Sequence, residues 1–323
     1  MNKMFKVIIL HAPSGLLSPI NGLLLRFRGE DGDTINLIQE RWNKDAVELG
    51  KHTWPGRPCA EDVEMFREIF GQIKPRKILI LGATPELRDL ACDFTEEPVA
   101  IADLSLVMLH EMARFLKRAD PFKERWYFGN WLSLPIPDES FDMVIGDYSV
   151  KQIALRERPL LVEEVGRMLT PGGFFLIRNH YIDPYWQEIS LDDISEGLSE
   201  YGVTVEEMKQ IIMYRLYDRW VDRETESFSS QRVEQDQKAL RNLPTDSRLR
   251  KFPAFDAAVW AEEIIGKIKA GKERARVNLT SRWSPARHAL HQILDLYFEF
   301  LAVRYGTRGR DHEWSPLELF RKK

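Results

Sequence analysis

The chain has 323 residues, of which 44% are hydrophobic and 30% are charged, as is typical of a globular protein with a substantial core. The formal net charge is −4 and the isoelectric point is about 6.1, so no overall basic field indicates nucleic-acid binding. The two cysteines, Cys59 and Cys92, lie far apart without a CxxC partner. This spacing argues against a disulfide framework, an iron–sulfur cluster and a structural zinc site. We therefore predict no metal site, and two reduced thiols in a cytoplasmic protein.

The N-terminal seventy residues divide into two parts. Short apolar runs separated by prolines and glycines predict extended pieces joined by turns, over Phe5–Leu10 and Gly22–Phe27. The run Met4–Leu10 is too short to span a bilayer and lacks a signal-peptide cleavage pattern, so we expect no membrane association. Apolar residues at helical spacing then predict helices over Ile35–Gly50 and Ala60–Phe70.

From Lys77 onward, short apolar runs alternate with helical patterns. The predicted strands are Lys77–Gly82, Val99–Asp103, Trp126–Phe128, Phe141–Gly146 and Phe174–Arg178. The predicted helices are Pro85–Phe94, Leu106–Lys117 and Pro159–Leu169, and the last is followed by a tight turn at Thr170–Gly173. Continuous apolar strands are typical of a sheet that is buried on both faces. The alternation therefore predicts an α/β fold with a doubly wound, mostly parallel sheet and right-handed crossovers.

The alternation stops after the fifth strand, and a helical insertion with polar connections follows. A helix near Pro285–Leu294 and two strand-like runs, Tyr297–Tyr305 and Leu317–Arg321, then predict a C-terminal antiparallel hairpin around the polar loop Gly306–Glu313. We expect three parts. They are an N-terminal extension and helical cover (1–72), a sheet domain (73–182 and 281–323), and an insertion (183–280) that covers the substrate or contacts a second copy.

The loop after the first strand predicts a ligand site, because doubly wound folds bind ligands at the carboxyl ends of their strands. Gly82 permits a sharp turn and close ligand approach. Thr84 is the expected N-cap of the next helix, and Pro85 suits its first position. Asp103 ends the second strand, 21 residues after Gly82, which is the spacing of an acid that binds the ribose hydroxyls of an adenine nucleoside.

The charge in this loop narrows the choice of nucleoside. The G-x-G-x-x-G pattern is absent, and Glu86 places a negative charge in the first helical turn, where it would repel a pyrophosphate. A P-loop is excluded because no Gly-Lys-Ser/Thr follows. S-adenosylmethionine (SAM) has no phosphates and carries a sulfonium and an ammonium group. Glu86 is compatible with that ligand and is expected to face its amino group.

The stretch from Lys77 to Arg178 resembles the class I SAM-dependent methyltransferases in the order and content of its motifs. Leu79–Glu86 occupies the place of the glycine-rich first motif, although two of the family's three glycines are missing. Asp103 matches the acid after the second strand, and Gly146–Ser149 resembles the fourth motif, whose backbone flanks the methionine part of the cofactor.

Two further motifs support the resemblance. Gly129–Trp131, with Leu134-Pro135 and Phe141-Asp142 downstream, resembles the segment in which a polar residue meets the adenine amino group. Asn130 stands where the family usually has aspartate, and its side-chain oxygen can still accept that hydrogen bond. Met168–Gly173 followed by an apolar strand is another element of the same fold.

The resemblance implies a Rossmann-like methyltransferase fold with SAM as its cofactor. The residues expected to bind the cofactor are Gly82, Ala83, Thr84, Glu86, Asp103, Leu104, Asn130, Trp131, Asp147 and Ser149. The expected catalytic residues are Asp147, Tyr148 and His180, because they end neighbouring strands at the rim where the methyl group would point. Simpler roles stay open for some of them: a turn cap for Asn130, core packing for Trp131, a loop cap for Asp147, and a structural hydrogen bond for His180.

The function expected from these features is methyl transfer to an O, N or C nucleophile of a small molecule. An RNA or protein methyltransferase is the first alternative, for which a basic run is the only hint: Lys267, Lys269, Lys272, Arg274 and Arg276. A non-catalytic cofactor-binding or scaffolding protein is the second, because glycines are missing and no base is evident. We expect Trp42 and Trp54 either to cover the cofactor or to pack in the core. The sequence leaves open whether the chain forms a homodimer.

Overall fold

A seven-stranded sheet forms the centre of the protein, in the order β3-β2-β1-β4-β5-β9-β8. The structure is a computed structural model that describes residues 3–27, 43, 46, 54–200, 202–222, 227–244, 247, 249, 259, 261–262, 265–266 and 284–323. The strands of this sheet are β1 (Ile78–Leu81), β2 (Ala100–Asp103), β3 (Arg125–Phe128), β4 (Phe141–Asp147), β5 (Leu169–Arg178), β8 (Phe298–Arg304) and β9 (Leu317–Lys322). A separate pair comprises β6 (Val221–Asp222) and β7 (Ser227–Phe228).

Helices cover both faces of the sheet, and further helices lie in the described parts of the segment between β5 and β8. Before β5 they are α1 (Lys3–His11), α2 (Ser14–Phe27), α3 (Ala60–Ile73), α4 (Pro85–Ala91), α5 (Leu106–Ala113) and α6 (Arg158–Met168). After β5 they are α7 (Tyr185–Glu188), α8 (Val205–Trp220), α9 (Ser230–Arg241), α10 (Arg287–Leu294) and α11 (Gly309–Glu313). Helices α7 to α9 lie within the expected insertion, whose boundaries stay a prediction.

The predicted fold class is confirmed. Strands β1 to β5 pair in parallel, whereas β9 pairs antiparallel with both β5 and β8. All four residues of β1 are buried, as expected for a central strand that is covered on both faces. The C-terminal hairpin forms as predicted, and its polar connection contains the short helix α11.

The predicted extended pieces at the N-terminus are wrong, because this segment folds as α1 and α2. Apolar residues recur at helical spacing along α2, so one side of the helix buries Leu17 against the sheet core. The buried side chain of Asn21 fixes α2 to the start of α5, donating to the Leu104 carbonyl (3.1 Å) and accepting from the Leu106 N–H (2.5 Å). Pro19 lies inside α2, where its fixed φ is tolerated and packing outweighs the lost hydrogen bond.

The structure differs from the prediction at one turn, and some predicted features lie outside the described residues. β5 begins at Leu169 and runs through the predicted turn, with a register irregularity opposite β4 and a left-handed Gly172 (φ 73°). The predicted helix 35–50 is described only at residues 43 and 46, and Trp42 lies outside the described set. None of the five basic residues noted between 267 and 276 is described.

Three apolar clusters hold the molecule together. Two of them lie on the opposite faces of the sheet, as expected from the alternation of side chains along each strand. The third is formed mainly by the segment after β5 and includes Trp54, Trp186 and Trp220. Trp54 is therefore a packing residue. Within the described ranges, no helix combines the length and apolar character needed to cross a bilayer.

Candidate functional site

The carboxyl ends of β1, β2 and β4 form a common rim. Leu81 pairs with Ala102 on one side and with Gly146 on the other, so the loops that follow these strands are adjacent. Gly82 adopts a positive φ of 101°, and its N–H donates to the Ala102 carbonyl (2.9 Å). A Cβ at Gly82 would lie 3.8 Å from the Trp131 ring, an ordinary contact, so the backbone conformation is what favours glycine here.

Glu86, in the first turn of α4, forms an ion pair with an arginine that precedes the sheet. Arg57 Nη2 lies 2.6 Å from Glu86 Oε1. Glu86 Oε2 and Arg57 Nε are buried without a hydrogen-bond partner in the described part of the chain. Thr84 occupies the N-cap position and Pro85 the first helical position as predicted, although the Thr84 side chain accepts no capping hydrogen bond from the described α4. Ala83 is buried beside them.

Asp103, at the end of β2, is a dehydrated carboxyl group. Only 6% of the residue is exposed, and Oδ1 accepts from the Ser105 N–H at 2.8 Å. Burial raises the pKa of Asp103 to about 7, although the N–H groups of Ser105 and Leu104 oppose that rise. Hydroxyl donors from a ligand would restore the hydrogen bonds that burial removes, so this carboxyl suits a vicinal diol.

Asn130 and Trp131 are both tied to the protein. Asn130 Oδ1 accepts from the Leu132 N–H at 3.1 Å, which is the turn-capping arrangement. Trp131 Nε1 donates to the Ala102 carbonyl at 2.8 Å, and its ring lies beside Gly82. The indole therefore bridges the ends of β1 and β2, and an adenine contact by either residue stays a prediction.

Asp147, at the end of β4, belongs to a buried cluster of charges. Arg178 is its neighbour on β5, and the Arg178 Nε donates to Asp147 Oδ1 at 2.6 Å. A second carboxylate, Asp62 of α3, lies 3.3 Å from Arg178 Nη1. Burial raises the pKa of Asp147 to about 6, with Arg178 opposing the rise, so the group is ionised at neutral pH. Its carboxylate is thus already paired.

Arg178 also ties the segment before α3 to the rim, because its Nη2 donates to the Pro55 carbonyl at 3.1 Å. Ser149, just after β4, packs against Gly146. A Cβ at position 146 would collide with the Ser149 hydroxyl. Ser149 Oγ is buried and has no hydrogen-bond partner among the described residues. This hydroxyl is therefore an unsatisfied polar group of the described structure at the end of β4.

Tyr148 has an unusual backbone conformation. Its φ of 54° lies in the left-handed region, which bulky residues rarely adopt without a surrounding structure that enforces it. Its Oη donates to Ser315 Oγ (3.2 Å) and accepts from Arg178 Nη1 (3.4 Å). Burial raises the pKa of Tyr148 well above its usual range, so the phenol is neutral.

His180 uses both ring nitrogens. Nδ1 lies 2.9 Å from Ser315 Oγ, and Nε2 lies 3.1 Å from Asp218 Oδ2 on α8. Sequence reasoning placed His180 and Tyr148 at strand ends on this rim, and it did not name their partners Ser315 and Asp218, which are distant along the chain. Arg178 carried a usable signal, because a charged residue that ends an apolar strand needs a buried carboxylate.

Cys59, Asp62 and His312 also lie together, with ligand-type atoms within 4.8 Å of one another. His312 Nδ1 accepts from the Arg308 N–H (3.0 Å), so a neutral ring carries its proton on Nε2, which faces Asp62 Oδ1 at 3.5 Å. Burial and then Asp62 raise the pKa of the Cys59 thiol to about 11. Asp62 already pairs with Arg178, and His312 Nδ1 already accepts from Arg308, so charge pairing and hydrogen bonds to neighbouring groups hold these residues in place.

Residues 82–173 match the family model described as "Methyltransferase domain". This part of the chain therefore resembles a methyltransferase domain. The match spans the loop after β1 through the start of β5, and it confirms the resemblance that the motifs predicted. No curated protein matches the chain.

Solved structures resemble the chain at low identity. The PH0226 protein from Pyrococcus horikoshii OT3 is 15% identical, with a TM-score of 0.46 over 80% of this chain and 88% of that one. The N-methyltransferase NodS from Bradyrhizobium japonicum WM9, in complex with S-adenosyl-L-homocysteine, is 10% identical, with a TM-score of 0.43 over 80% and 84%. A SAM-dependent methyltransferase from Methanosarcina mazei is 15% identical, with a TM-score of 0.41 over 79% and 96%.

Proposed function

We propose that the chain transfers the methyl group of SAM to a nucleophilic O, N or C atom of a small molecule. The observation that carries this proposal is the pairing of Gly82, in a left-handed turn, with the dehydrated carboxyl of Asp103. Both lie at one rim of the methyltransferase domain. A nucleoside needs these two features there: a backbone it can approach closely and an acceptor for its ribose hydroxyls.

The residues at the rim fit the chemistry of this cofactor. Asp103 would accept the ribose hydroxyls, with Leu104 and Trp131 beside the adenosine and the Gly82–Thr84 backbone along the methionine part. Glu86 Oε2 and Ser149 Oγ are buried acceptors without partners in the described structure, and an ammonium group is a suitable donor for both. When bound, the cofactor supplies an electrophilic methyl group on a sulfonium.

The charge of the rim favours SAM over a dinucleotide. Glu86 and Asp147 place two carboxyl groups there, and Asp103 adds a third. Arg57 and Arg178 pair with Glu86 and Asp147, so these groups together present no net positive charge to a pyrophosphate and are compatible with a sulfonium and an ammonium. This argument rests on charge, so it holds despite the two missing glycines of the first motif.

A small acceptor is supported by how much protein covers the far side of the rim. Tyr148 and His180 are nearly fully buried, beneath α8 and the connection between β8 and β9. The ring of Tyr214, from α8, packs edge-on against His180 with a centroid distance of 4.9 Å. A folded polymer would need this cover to move away, whereas a small molecule can be enclosed by it.

Calorimetry with SAM and with S-adenosylhomocysteine (SAH) tests cofactor binding. We expect the wild-type chain to bind both, Asp103→Asn to bind much more weakly, and Glu163→Gln, an exposed acid on α6, to bind like wild type. SAH release is then measured against a panel of alcohols, phenols, amines and carbon acids. Failure of the wild-type chain to bind either nucleoside would refute the proposal.

A further inference from the structure

We infer that Tyr148, Ser315, His180 and Asp218 form a proton relay that removes a proton from the methyl acceptor. It follows that the acceptor is an uncharged hydroxyl or amine that bears a dissociable proton. This inference rests on the proposed function, because it assigns the fate of the proton that such an acceptor must lose. Asp218 and Ser315 act as positioning residues and proton carriers, and Tyr148 is the group that meets the acceptor.

The four side chains make one unbroken line of hydrogen bonds. Tyr148 Oη lies 3.2 Å from Ser315 Oγ, which lies 2.9 Å from His180 Nδ1. On the far side of the ring, His180 Nε2 lies 3.2 and 3.1 Å from the two oxygens of Asp218. Each residue comes from a different element of the fold: the end of β4, the turn before β9, the end of β5, and α8.

When the ring of His180 is neutral, one direction of donation satisfies every group in the line. The carboxylate of Asp218 can only accept, so the single ring proton lies on Nε2. Nδ1 must then accept from Ser315 Oγ, whose remaining lone pairs accept from Tyr148 Oη. Arg178 completes the sequence by donating to Tyr148 Oη (3.4 Å). Every donor therefore points from the rim toward Asp218, which is the direction in which a proton must move.

This arrangement is not a hydrolytic triad, although the residue types are the same. In a hydrolase the serine bonds Nε2 and the acid bonds Nδ1, and the serine hydroxyl faces substrate. Here the two ring nitrogens are exchanged, and Ser315 is 1% exposed with its hydroxyl occupied by Tyr148. Ser315 is thus placed to pass a proton and is not placed to attack a substrate.

The surrounding charges stabilise the end state of the relay. Asp218 faces His180 directly, and the same carboxylate accepts from the Asp183 N–H at 3.1 Å. Asp183 is itself paired with Arg310 (2.6 Å). At the other end, Arg178 and Lys151 lie over the Tyr148 ring at 4.3 and 4.8 Å.

The charges thus differ between the two ends. Lys151 is also 4.1 Å from the ring of Tyr214, which packs between it and His180. Arg178 and Lys151 thus face the phenol, where Asp147 and Asp62 pair with Arg178, and Asp218 faces the imidazole directly. The direct pairing of Asp218 with the ring stabilises an imidazolium at that end of the relay.

The position of Tyr148 connects the relay to the methyl-transfer rim. Gly146 pairs with Leu81, so the turn containing Asp147 and Tyr148 lies beside the turn containing Gly82. The left-handed conformation of Tyr148 is strained for a residue with a bulky side chain, and such strain is commonly retained at functional positions. The hydrogen bond to Ser315 and the Arg178 contacts hold the residue in this conformation.

The proposed step balances as follows. A lone pair of the acceptor atom forms the new bond to the methyl carbon while the sulfur–methyl bond breaks, and its electron pair stays on sulfur. The acceptor's proton passes to Tyr148 Oη as the phenol proton passes to Ser315 Oγ and the serine proton passes to His180 Nδ1. The imidazolium that results is paired with Asp218, and solvent later takes the proton. A carboxylate or thiolate acceptor has no proton to lose and therefore does not need the proton relay.

The direction of donation is tested without any acceptor, by NMR of the full chain labelled with 15N-histidine. The chain has seven histidines, and the His180→Gln spectrum identifies the signals of that ring. At neutral pH we expect a proton on Nε2 alone, with Nδ1 as an acceptor whose shift moves in Ser315→Ala. A ring protonated on Nδ1, or on both nitrogens, would overturn the relay.

The catalytic role is tested by Tyr148→Phe and Ser315→Ala, each of which removes one hydroxyl. We expect kcat to fall about 100-fold in both, the usual size of a general-base contribution, with SAH affinity within about threefold of wild type. Ser315→Thr, which keeps the hydroxyl, should regain most of the activity. Tyr181→Phe is the matched control, since Tyr181 is a buried tyrosine that donates to Glu318 outside the relay.

The acceptors offered are matched sets in which one carbon skeleton carries a hydroxyl, an amine or a carboxylate. We expect methylation of the hydroxyl or amine members alone, with a kcat that falls at low pH in the wild-type chain and loses this dependence in Ser315→Ala. Three results, each obtained with normal SAH binding, would overturn the relay. They are preferred methylation of carboxylates, no turnover of any member, and an unchanged kcat in both variants. Loss of SAH binding by the wild-type chain would instead count against the proposed function.

Discussion

At the scale of single residues, Asp103 combines burial with a side chain that normally carries charge. The pKa of about 7 means that its protonation changes within the physiological range. Water is largely excluded from this carboxyl, so in the proposed complex the hydroxyls of a nucleoside would replace hydrogen bonds that the free protein lacks. The affinity for the cofactor should therefore depend on this one group more than on the surrounding apolar contacts.

We expect Asp103→Ala to weaken SAH binding by about 2–4 kcal/mol, because it removes two charge-assisted hydrogen bonds. The fold should survive, since a smaller uncharged residue relieves a buried acid. Calorimetry measures the affinity, and thermal unfolding confirms that the variant is folded. An Asp103→Ala chain that binds SAH as tightly as wild type would show that another group holds the ribose.

The affinity should also depend on pH, with a sign set by the raised pKa. Below pH 7 Asp103 is protonated in the free protein, and above pH 7 it is the carboxylate that accepts two hydroxyls. SAH binding should therefore weaken as pH falls from about 8 to 5, by up to tenfold per pH unit below the pKa. The Asp103→Asn chain should lack this dependence. Equal slopes in the two proteins would assign the effect to a different group.

The residue scale also shows how far sequence reasoning reaches at the site. Gly82 and Asp103 were predictable together, because their spacing reflects one βαβ unit. The pairing of Asp147 with Arg178 and of His180 with Asp218 was not predictable, because each pairing depends on which strands and helices become neighbours. A polar residue at a strand end indicates the rim of a sheet, but its partner is decided by the fold.

At the scale of elements, the turn between β1 and α4 depends on the backbone freedom of Gly82. We expect Gly82→Ala to destabilise the protein by about 1 kcal/mol or more, since a Cβ is strained at this positive φ. Gly71→Ala is the matched control, because Gly71 lies inside α3 with no atom within 4 Å of the added Cβ. That change should stabilise by up to about 1 kcal/mol. Urea unfolding measures both, and similar losses in the two would contradict the argument.

The cluster of Asp62, Arg178 and Asp147 connects α3, β4 and β5. We expect Arg178→Met to destabilise by about 3–5 kcal/mol, because two buried carboxylates lose their counter-charge. Arg321→Met removes an ion pair that is about half exposed, with Glu299, and should cost about 1 kcal/mol or less. Urea unfolding at neutral pH compares the two. A small loss at Arg178 would show that the carboxylates take up protons without cost.

Acid should weaken the same cluster. Burial alone would raise the pKa of Asp62, but the charge of Arg178 and the hydrogen bonds that Asp62 accepts outweigh it and lower the pKa to about 2, below the value in the unfolded chain. The stability that this ionised group contributes is therefore fully present above about pH 4 and is lost as pH falls toward 2.

The elements that could be predicted from sequence are those that are buried on both faces. The strands of the parallel sheet are covered on both faces, so each is a continuous apolar run that stands out in the sequence. Helices α1 and α2 pack with one side only, and they contain prolines and glycines, which are typical of turns. Their helical spacing was the better guide, because burial of Ile9 and Leu17 against the sheet outweighs local propensity.

At the scale of the whole molecule, the candidate site is assembled from parts of the chain that are far apart. The segment around Pro55 and Arg57, helix α8 and the turn containing Ser315 all meet the rim of the sheet. In the proposed function, the region that matches the methyltransferase model supplies the cofactor side, and the later parts of the chain supply the buried groups beyond it. The sequence motifs cover only the first of these two parts.

The insertion of β9 between β5 and β8 has a consequence for the order of events during folding. His180 and Ser315 are 135 positions apart, so closing this contact carries a larger entropy cost than pairing β1, β2 and β4. In pulse-labelled refolding, amides of β1 and β4 should become protected before those of β9, and simultaneous protection would contradict this order. Until β9 arrives, the apolar edge of β5 stays open to other chains, so newly made protein should aggregate readily unless a chaperone holds it.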